Sequence, residues 1–374
     1  MLRKLRKLDI FALIITTCLV AIGTIAVYEA TSGTQLDGLH ISNVMLFGAF
    51  CVPMLLIALT DYKLLTGKLA YVLYGVGICL LILVTLKGEN INGAARWLSI
   101  GSFQLQPSEL VKLSTILLAA RYLSKRNGEK LRLLQDIVPF SLIFLIPTVL
   151  IMKQPDLGTA LVFVGIFLSM LWMGNIRIRY LMLGLGAVTF LVMVILWLYN
   201  TDHKLLSVIA KPHQISRLQT FLDPASDPDK SWHVNNAMYA ISAGGQSGGP
   251  GFYIHNGYIP YAYSDSIFVV IGEKYGFIGS AILLLLYFML MYRFVNIVWD
   301  SKELAGSYLV IGIISMFVFQ IFVNIGMHIG LVPLTGISLP FISYGGSSLL
   351  TYMIAIGLVL SVHIHKNIYI DHLR

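Results

Sequence analysis

Charge is what this sequence has least of. Only 12% of its 374 residues are Asp, Glu, Lys or Arg, against 57% hydrophobic, and the mean hydropathy is +0.80. Ordinary soluble chains are about 25% charged, so a water-facing globular surface cannot be assembled here and a soluble domain is excluded. Cysteine is scarce as well. Cys18, Cys51 and Cys79 lie inside apolar stretches without pairing or metal-ligand spacing, which removes a disulfide framework and leaves them as packing residues. No phosphate-cradling loop is present. Gly244, Gly245, Gly248, Gly249 and Gly251 read as a flexible stretch, but they match neither the Walker nor the Rossmann pattern and follow no soluble strand. Nor is there an internal repeat of the kind that marks many transporters. The net charge of +8 comes from short clusters between apolar runs, so a membrane surface, not nucleic acid, is the implied partner.

What the chain has in abundance is apolar length. Ile10 to Val27 is an uncharged stretch that covers roughly 27 Å as a helix, close to the hydrocarbon thickness of a bilayer. Arg3, Lys4, Arg6 and Lys7 flank it like the n-region of a signal peptide, yet the run is long and no convincing cleavage site follows, so it reads as an uncleaved first helix. Comparable runs recur near 41–59, 69–86, 108–123, 137–152, 159–173, 180–199, 266–291, 308–328 and 347–364. The expectation is an all-α integral membrane protein, one polytopic domain over 1–374 with about ten transmembrane helices. Short loops join the runs except at about 200–265, a polar segment rich in Gly, Pro, Asp and His that is too long for a simple connection.

Orientation follows from Lys and Arg, which are retained on the cytoplasmic side. With Arg121 at the end of the fourth run, the N-terminus, the even-numbered loops and the C-terminus carry 17 of the 26 basic residues. Both termini are therefore expected in the cytoplasm, and the long segment outside.

Ionisable groups within a bilayer are costly and so face a partner or a cavity. Glu109 and Lys112 stand one helical turn apart in the fourth run, which suits either a self-neutralising pair near the interface or the lining of a polar cavity. Asp156, in Gln154-Pro155-Asp156-Leu157-Gly158-Thr159, interrupts two runs that otherwise nearly join; it reads as a tight turn with an N-cap. Asp265 meets the eighth run, where it can be an N-cap or, at the outer membrane surface, a carboxylate that takes a proton from a sugar hydroxyl. Arg96 with Trp97, and Trp232, suit interfacial anchoring, and the Arg fork equally suits a phosphate. Finally, Gly330 to Gly346 holds two prolines and four glycines in a largely apolar context. Such backbone is tolerated at membrane depth only if protein-buried or lining a water-filled cavity, so about 330–346 is expected to be re-entrant or cavity-lining.

This last segment, Gly330-Leu331-Val332-Pro333-Leu334-Thr335-Gly336 through Pro340-Phe341-Ile342-Ser343-Tyr344-Gly345-Gly346-Ser347-Ser348, with Asn324-Ile325-Gly326-Met327 ahead of it, resembles the signature of the SEDS family (shape, elongation, division and sporulation). Four more matches follow in family order: Asn92 to Trp97, Gln106-Pro107-Ser108-Glu109 with Lys112, the Gln154 to Thr159 turn, and Asp265 through Gly272-Glu273. The resemblance implies a peptidoglycan glycosyltransferase that polymerises lipid II, the undecaprenyl-pyrophosphate-linked disaccharide peptide, alongside a class B penicillin-binding protein that acts as transpeptidase. Asp265 would be its catalytic carboxylate. Glu109, Lys112 and Asp156 would belong to a polar cavity, with Ser343, Gly345 and Gly346 from the signature; Arg96 and Trp97 match the outward loop after helix three, and Arg217 the basic position of the long loop. The chain departs from the pattern at Lys274 after Glu273, at Asn236-Ala237 and at Ser242-Ala243. A lipid II flippase and a catalytically silent sporulation or division scaffold are the competing classes. No cofactor is implied; a divalent cation would have to use Asp156, Asp223 and Asp265, whose spacing is no metal motif.

The topology generates a direct measurement. In a chain freed of its native cysteines, single cysteines at Ser99 and Ser226 are expected to react with an impermeant thiol reagent in intact cells, and one at Ser124 is not. Labelling at Ser124 without labelling at Ser226 would invert the orientation.

Overall fold

The computed structural model describes residues 2–91, 94–101, 103–201, 215, 219–223 and 228–366. It is nearly all helix, because a peptide group in hydrocarbon must find its partner within its own segment. The principal helices are α1 (Ile10–Thr31), α2 (Leu39–Leu59), α3 (Leu69–Lys87), α4 (Pro107–Ser124), α5 (Val138–Lys153), α6 (Leu157–Met173), α7 (Ile178–Thr201), α8 (Pro228–Ala243), α9 (Ile267–Asp300), α10 (Leu304–His328) and α11 (Gly346–His365). Eight of these stretches, α5 counted with the π-turn before it, are long and apolar enough to cross a membrane. The helices α4 and α6 stand where two more runs were expected; α6 has 17 residues, and α4 carries Glu109, Lys112 and Arg121 along its length.

Burial ranks the helices. Most of α10 and α11 is enclosed, whereas α7 is almost wholly exposed. α10 packs on α4, α6 and α9, and α11 packs on α2. Cys18 and Cys79 are exposed and Cys51 is half-buried, which corrects their reading as packing residues: against lipid an apolar side chain gains nothing by turning inward.

Both ends of the described chain meet at one end of the bundle. Lys4 Nζ reaches the Leu59 carbonyl at 3.1 Å and His365 Nε2 at 2.9 Å. Ion pairs Asp9–Arg293, Lys63–Glu303 and Asp300–Lys366 close the same end.

At the opposite end the expected third loop is partly a three-stranded antiparallel sheet, β1 (Glu89–Ile91), β2 (Ala94–Ile100) and β3 (Phe103–Leu105), in the order β1-β2-β3. The long segment likewise contains α8 and a single turn at Phe252–His255.

The Gly-rich stretch is not a flexible tether. A Cβ on Gly244 would lie 1.9 Å from the Gly272 carbonyl oxygen, and one on Gly248 would lie 2.0 Å from that of Lys274, so the backbone of this stretch touches the backbone of α9. It also receives hydrogen bonds. Phe277 N donates to Gly245 O and Ile278 N to Gln246 O, just past Gly276, whose positive φ of 61° breaks the helix. The buried Glu273 carboxylate accepts from Tyr253 N at 2.8 Å and Ile254 N at 3.2 Å, pinning the single turn to α9. Lys274, one of the departures from the family pattern, pairs with Glu29 of α1 at 3.1 Å.

Gly244→Ala is accordingly expected to lower thermal stability in detergent by about 1–3 kcal/mol, the usual cost of overpacking. Gly75→Ala, on α3 where nothing lies within 4 Å of an added Cβ, is the control and is expected to be neutral or slightly stabilising. Equal melting temperatures for the two variants would remove the close-approach account of Gly244.

Candidate functional site

The site assembles around the non-helical stretch between α10 and α11. Thr335, Ile337, Leu339, Phe341, Ile342 and Ser343 are all buried there. Gly158, at the start of α6, lies against it: an added Cβ would stand 2.5 Å from Ile337 Cγ1 and 3.1 Å from Thr335 Cβ. On Gly336, between those two residues, an added Cβ would stand 3.5 Å from Asp265 Oδ2. The Asp156 turn and the Asp265 carboxylate thus approach one three-residue stretch, Thr335–Ile337.

Asp265 is half-buried. Ser266, not Asp265, stands at the N-cap position of α9, which displaces the simple capping reading by one residue. The main chain around Asp265 is held closely. Tyr344 N donates to Tyr263 O at 2.9 Å, Ser343 Oγ to Ser264 O at 2.6 Å, and Asn324 Nδ2 to Asp265 O at 2.8 Å. Ser343 therefore acts through the backbone next to Asp265, and its hydroxyl also accepts from Leu339 N at 2.7 Å. The Tyr263 phenol is raised by burial first, and then by the charges of Tyr261 and Asp265. His233, whose Nε2 lies 3.2 Å from Ser266 Oγ, is pushed below the ordinary imidazole range by burial.

Asp156 caps α6, accepting from Thr159 N at 3.1 Å and from Thr159 Oγ1 at 3.0 Å. Arg96, on β2, spends its donors on this turn: Nε reaches Gln154 O at 3.1 Å, a second nitrogen reaches Pro155 O, and a third lies 3.8 Å from Asp156. The guanidinium thereby braces the backbone of the turn from Gln154 to Asp156. Trp97, next to it, is half-buried and pairs across the sheet with Glu89. Gln106 joins this region to the first turn of α11: its Nε2 reaches Asp156 at 3.4 Å, while its backbone N donates to Ser347 Oγ at 3.0 Å. Gly345 and Gly346 begin α11 beside that contact, and the Gly345 carbonyl accepts from Ser348 Oγ.

Glu109 and Lys112 form a fully enclosed pair, 2.8 Å apart and 5% and 1% exposed: the two charges neutralise each other, and they do so buried in protein. Glu109 Oε2 has no hydrogen-bond partner among the described residues. The Tyr352 hydroxyl, on α11, meets Ser338 Oγ at 2.9 Å and Gln320 Nε2 at 3.2 Å. Arg217 lies outside the described residues. Among the described residues no three His, Cys, Asp or Glu side chains converge, so Asp156, Asp223 and Asp265 do not make a common cation site.

A polar stripe along α10 escaped the sequence reading. Gln320, Asn324 and His328 recur every fourth residue, so they share one helix face, and each is wholly buried. That spacing was the available signal, hidden because the reading weighed Asp, Glu, Lys and Arg within apolar runs and passed over amides and histidine.

The fold and site define a multi-pass membrane protein whose carboxylates and buried ion pair gather about an irregular, protein-enclosed segment. Residues 8–368 match the family model described as cell cycle protein, covering FtsW, RodA and SpoVE. The chain belongs to this family, the SEDS proteins. It is 34% identical to stage V sporulation protein E of Bacillus subtilis, over 95% of this chain and 96% of that one. It is 32% identical to the probable peptidoglycan glycosyltransferase FtsW of Trichlorobacter lovleyi, over 96% and 94%. A chain from a solved peptidoglycan synthase complex, in which polymerization and crosslinking are structurally coordinated, superposes with a TM-score of 0.82 at 32% identity over 96% and 98%.

The enclosed pair yields a double-mutant prediction. Lys112→Met leaves Glu109 charged and unpaired, and is expected to cost about 3–5 kcal/mol in stability. Lys112→Met with Glu109→Gln is expected to recover most of that loss in a detergent melt, because no buried charge remains. A single variant as stable as wild type would show that the pair does not stay charged and enclosed.

Proposed function

We propose that this chain is a peptidoglycan glycosyltransferase that polymerises lipid II into glycan strands, with Asp265 as general base. The observation that carries the reading is the setting of Asp265: its carbonyl is tied to α10, the carbonyls of Tyr263 and Ser264 ahead of it to the Ser343–Tyr344 turn, and its carboxylate lies beside Gly336. A base must be held within reach of the proton it removes, and this tethering supplies the constraint. The acceptor hydroxyl attacks the anomeric carbon of the donor. Its proton passes to Asp265, and undecaprenyl pyrophosphate departs with the bonding pair of the broken C–O bond.

The leaving pyrophosphate needs positive charge in a water-poor setting. Lys112 and Arg96 are already engaged, with Glu109 and with the Asp156 turn, so their part is to hold the site's shape and field. This leaves Arg217, the third candidate, as the residue proposed to meet the pyrophosphate. The outward placement of 200–265, the re-entrant character of 330–346, ten spans and cytoplasmic termini in the plasma membrane belong to the same proposal. So does partnership with a class B penicillin-binding protein, which the similarity to a chain of a synthase complex supports.

A flippase would have to open both ends of the bundle in turn. Here the end where the chain termini meet is laced by the Asp9–Arg293, Lys63–Glu303 and Asp300–Lys366 pairs, each of which would have to part in every cycle.

Asp265→Asn preserves size and, since Ser266 occupies the cap position, is expected to leave expression unchanged. Polymer formation from lipid II by the detergent-purified protein is expected to fall by about 10²–10⁴-fold, the usual contribution of a general base. Detergent removes transbilayer movement from the readout. Wild-type activity in Asp265→Asn would sink the mechanism, and no polymer from either form, with lipid II transport in liposomes, would favour the flippase.

A further inference from the structure

His328 closes the polar stripe of α10, and nothing so far gives it a role in the reaction. It is wholly buried, and its Nε2 lies 3.0 Å from the Asp265 carbonyl oxygen. A carbonyl has no proton to give, so Nε2 must carry it, and Nδ1 is then a bare lone pair. Among the described residues Nδ1 has no hydrogen-bond partner. An enclosed acceptor without a donor is destabilising, so a residue needed only for packing would be better replaced by an apolar one of similar size. Among the described residues, the one hydrogen bond of the His328 side chain goes to the residue that carries the reactive carboxylate.

That bond completes a pattern. Tyr263, Ser264 and Asp265 each offer a carbonyl that is taken by Tyr344 N, Ser343 Oγ, and Asn324 Nδ2 with His328 Nε2. The next residue, Ser266, meets His233 Nε2 from α8, and the two imidazoles stand 6.5 Å apart with their planes at 64°. Four consecutive residues are therefore gripped, and Asp265 is the only one of them whose carbonyl takes two side-chain donors among the described residues. Asn324 divides its amide between Asp265 O and Ile337 O, at 2.8 and 2.6 Å. His328 serves Asp265 alone.

We propose that His328 is a positioning residue for Asp265: its Nε2–H fixes the Asp265 peptide plane and thereby the direction in which the carboxylate leaves the backbone. The inference rests on Asp265 being the base, and it adds a residue that touches no substrate. Displacement of a reacting group by about 1 Å can cost 10²-fold, which sets the scale of the effect.

The test measures kcat and KM for polymerisation of lipid II by the purified full chain in detergent, with a thermal melt of every variant. His328→Phe keeps bulk and removes the donor, and His328→Leu serves if Phe disturbs the packing. Either is expected to lower kcat by about 10- to 100-fold with KM unchanged. His328→Gln places an amide N–H near the position of Nε2 and is expected to restore most of the turnover. In an Asp265→Asn background, His328→Phe is expected to remove nothing further, because a positioning residue acts only through the group it positions. Wild-type kcat in His328→Phe, no recovery in His328→Gln at equal thermal stability, or an additive loss in the double variant would each overturn the inference and leave Asp265 as base untouched. Wild-type activity in Asp265→Asn would overturn the base, and the positioning role with it.

Discussion

A stretch of backbone that is not helical, and yet is enclosed by apolar side chains, must find a partner for its peptide groups outside itself. That constraint falls on the residues between α10 and α11, and the rest of the site is arranged to meet it. Ser343 Oγ accepts from Leu339 N and donates to Ser264 O; Asn324 donates to Ile337 O; Tyr287, from the middle of α9, donates to Pro340 O. The Leu339 N bond closes the segment on itself, and the other three tie it to the start of α9, to α10 and to the middle of α9. The polar groups that solve the folding problem thus also hold the start of α9, and Asp265 with it, against this segment, while the Asp156 turn meets it through Gly158.

The same economy appears where α9 meets the long segment. Glu273 spends its carboxylate on two backbone N–H groups, and its own carbonyl accepts from Gly249 N at 2.7 Å, while Gly244 and Gly248 let two backbones touch. A buried carboxylate with two amide donors is satisfied without a cation. Lys274, next to it, is thereby free of that task and reaches Glu29 instead, which ties the far end of α1 to α9. The departure from the family pattern at Lys274 leads to an ion pair on the periphery of the site.

The two ends of the bundle differ in kind. Where the termini meet, oppositely charged side chains from separate helices pair directly, which suits a closed and solvated rim. At the other end Arg96 and Gln106 address backbone groups of turns, and the enclosed Glu109–Lys112 pair keeps one carboxylate oxygen without a hydrogen-bond partner among the described residues. Glu109 Oε2 and His328 Nδ1, both near the proposed reaction, are unmet acceptors among the described residues, of the kind expected of groups held for a function at some cost in stability.

Much of this was legible in the chain alone. Apolar runs of spanning length dictate helices, because lipid offers peptide groups no alternative, and the positions of α1–α7 and α9–α11 follow from those runs to within a few residues, except that α9 continues to Asp300, well past the expected end at 291. The types of residue at the site, Asp156, Glu109 with Lys112, and Asp265, were visible because a charge in an apolar run needs an explanation. The Gln154 to Thr159 turn was likewise marked by its proline and glycine. Tertiary structure alone decided the rest. Whether Glu109 and Lys112 sit at an exposed interface or are enclosed depends on α10 and α11 closing over α4, which no local spacing encodes. That the glycines from Gly244 to Gly251 serve contact and not flexibility depends on a backbone 30 residues away. That Asn324 and His328 grip Asp265 depends on α10 facing the start of α9 with its amide and imidazole stripe. Local sequence sets the conformation of a segment through its own peptide groups and its solvent; which segment supplies the missing partner is a property of the packed whole.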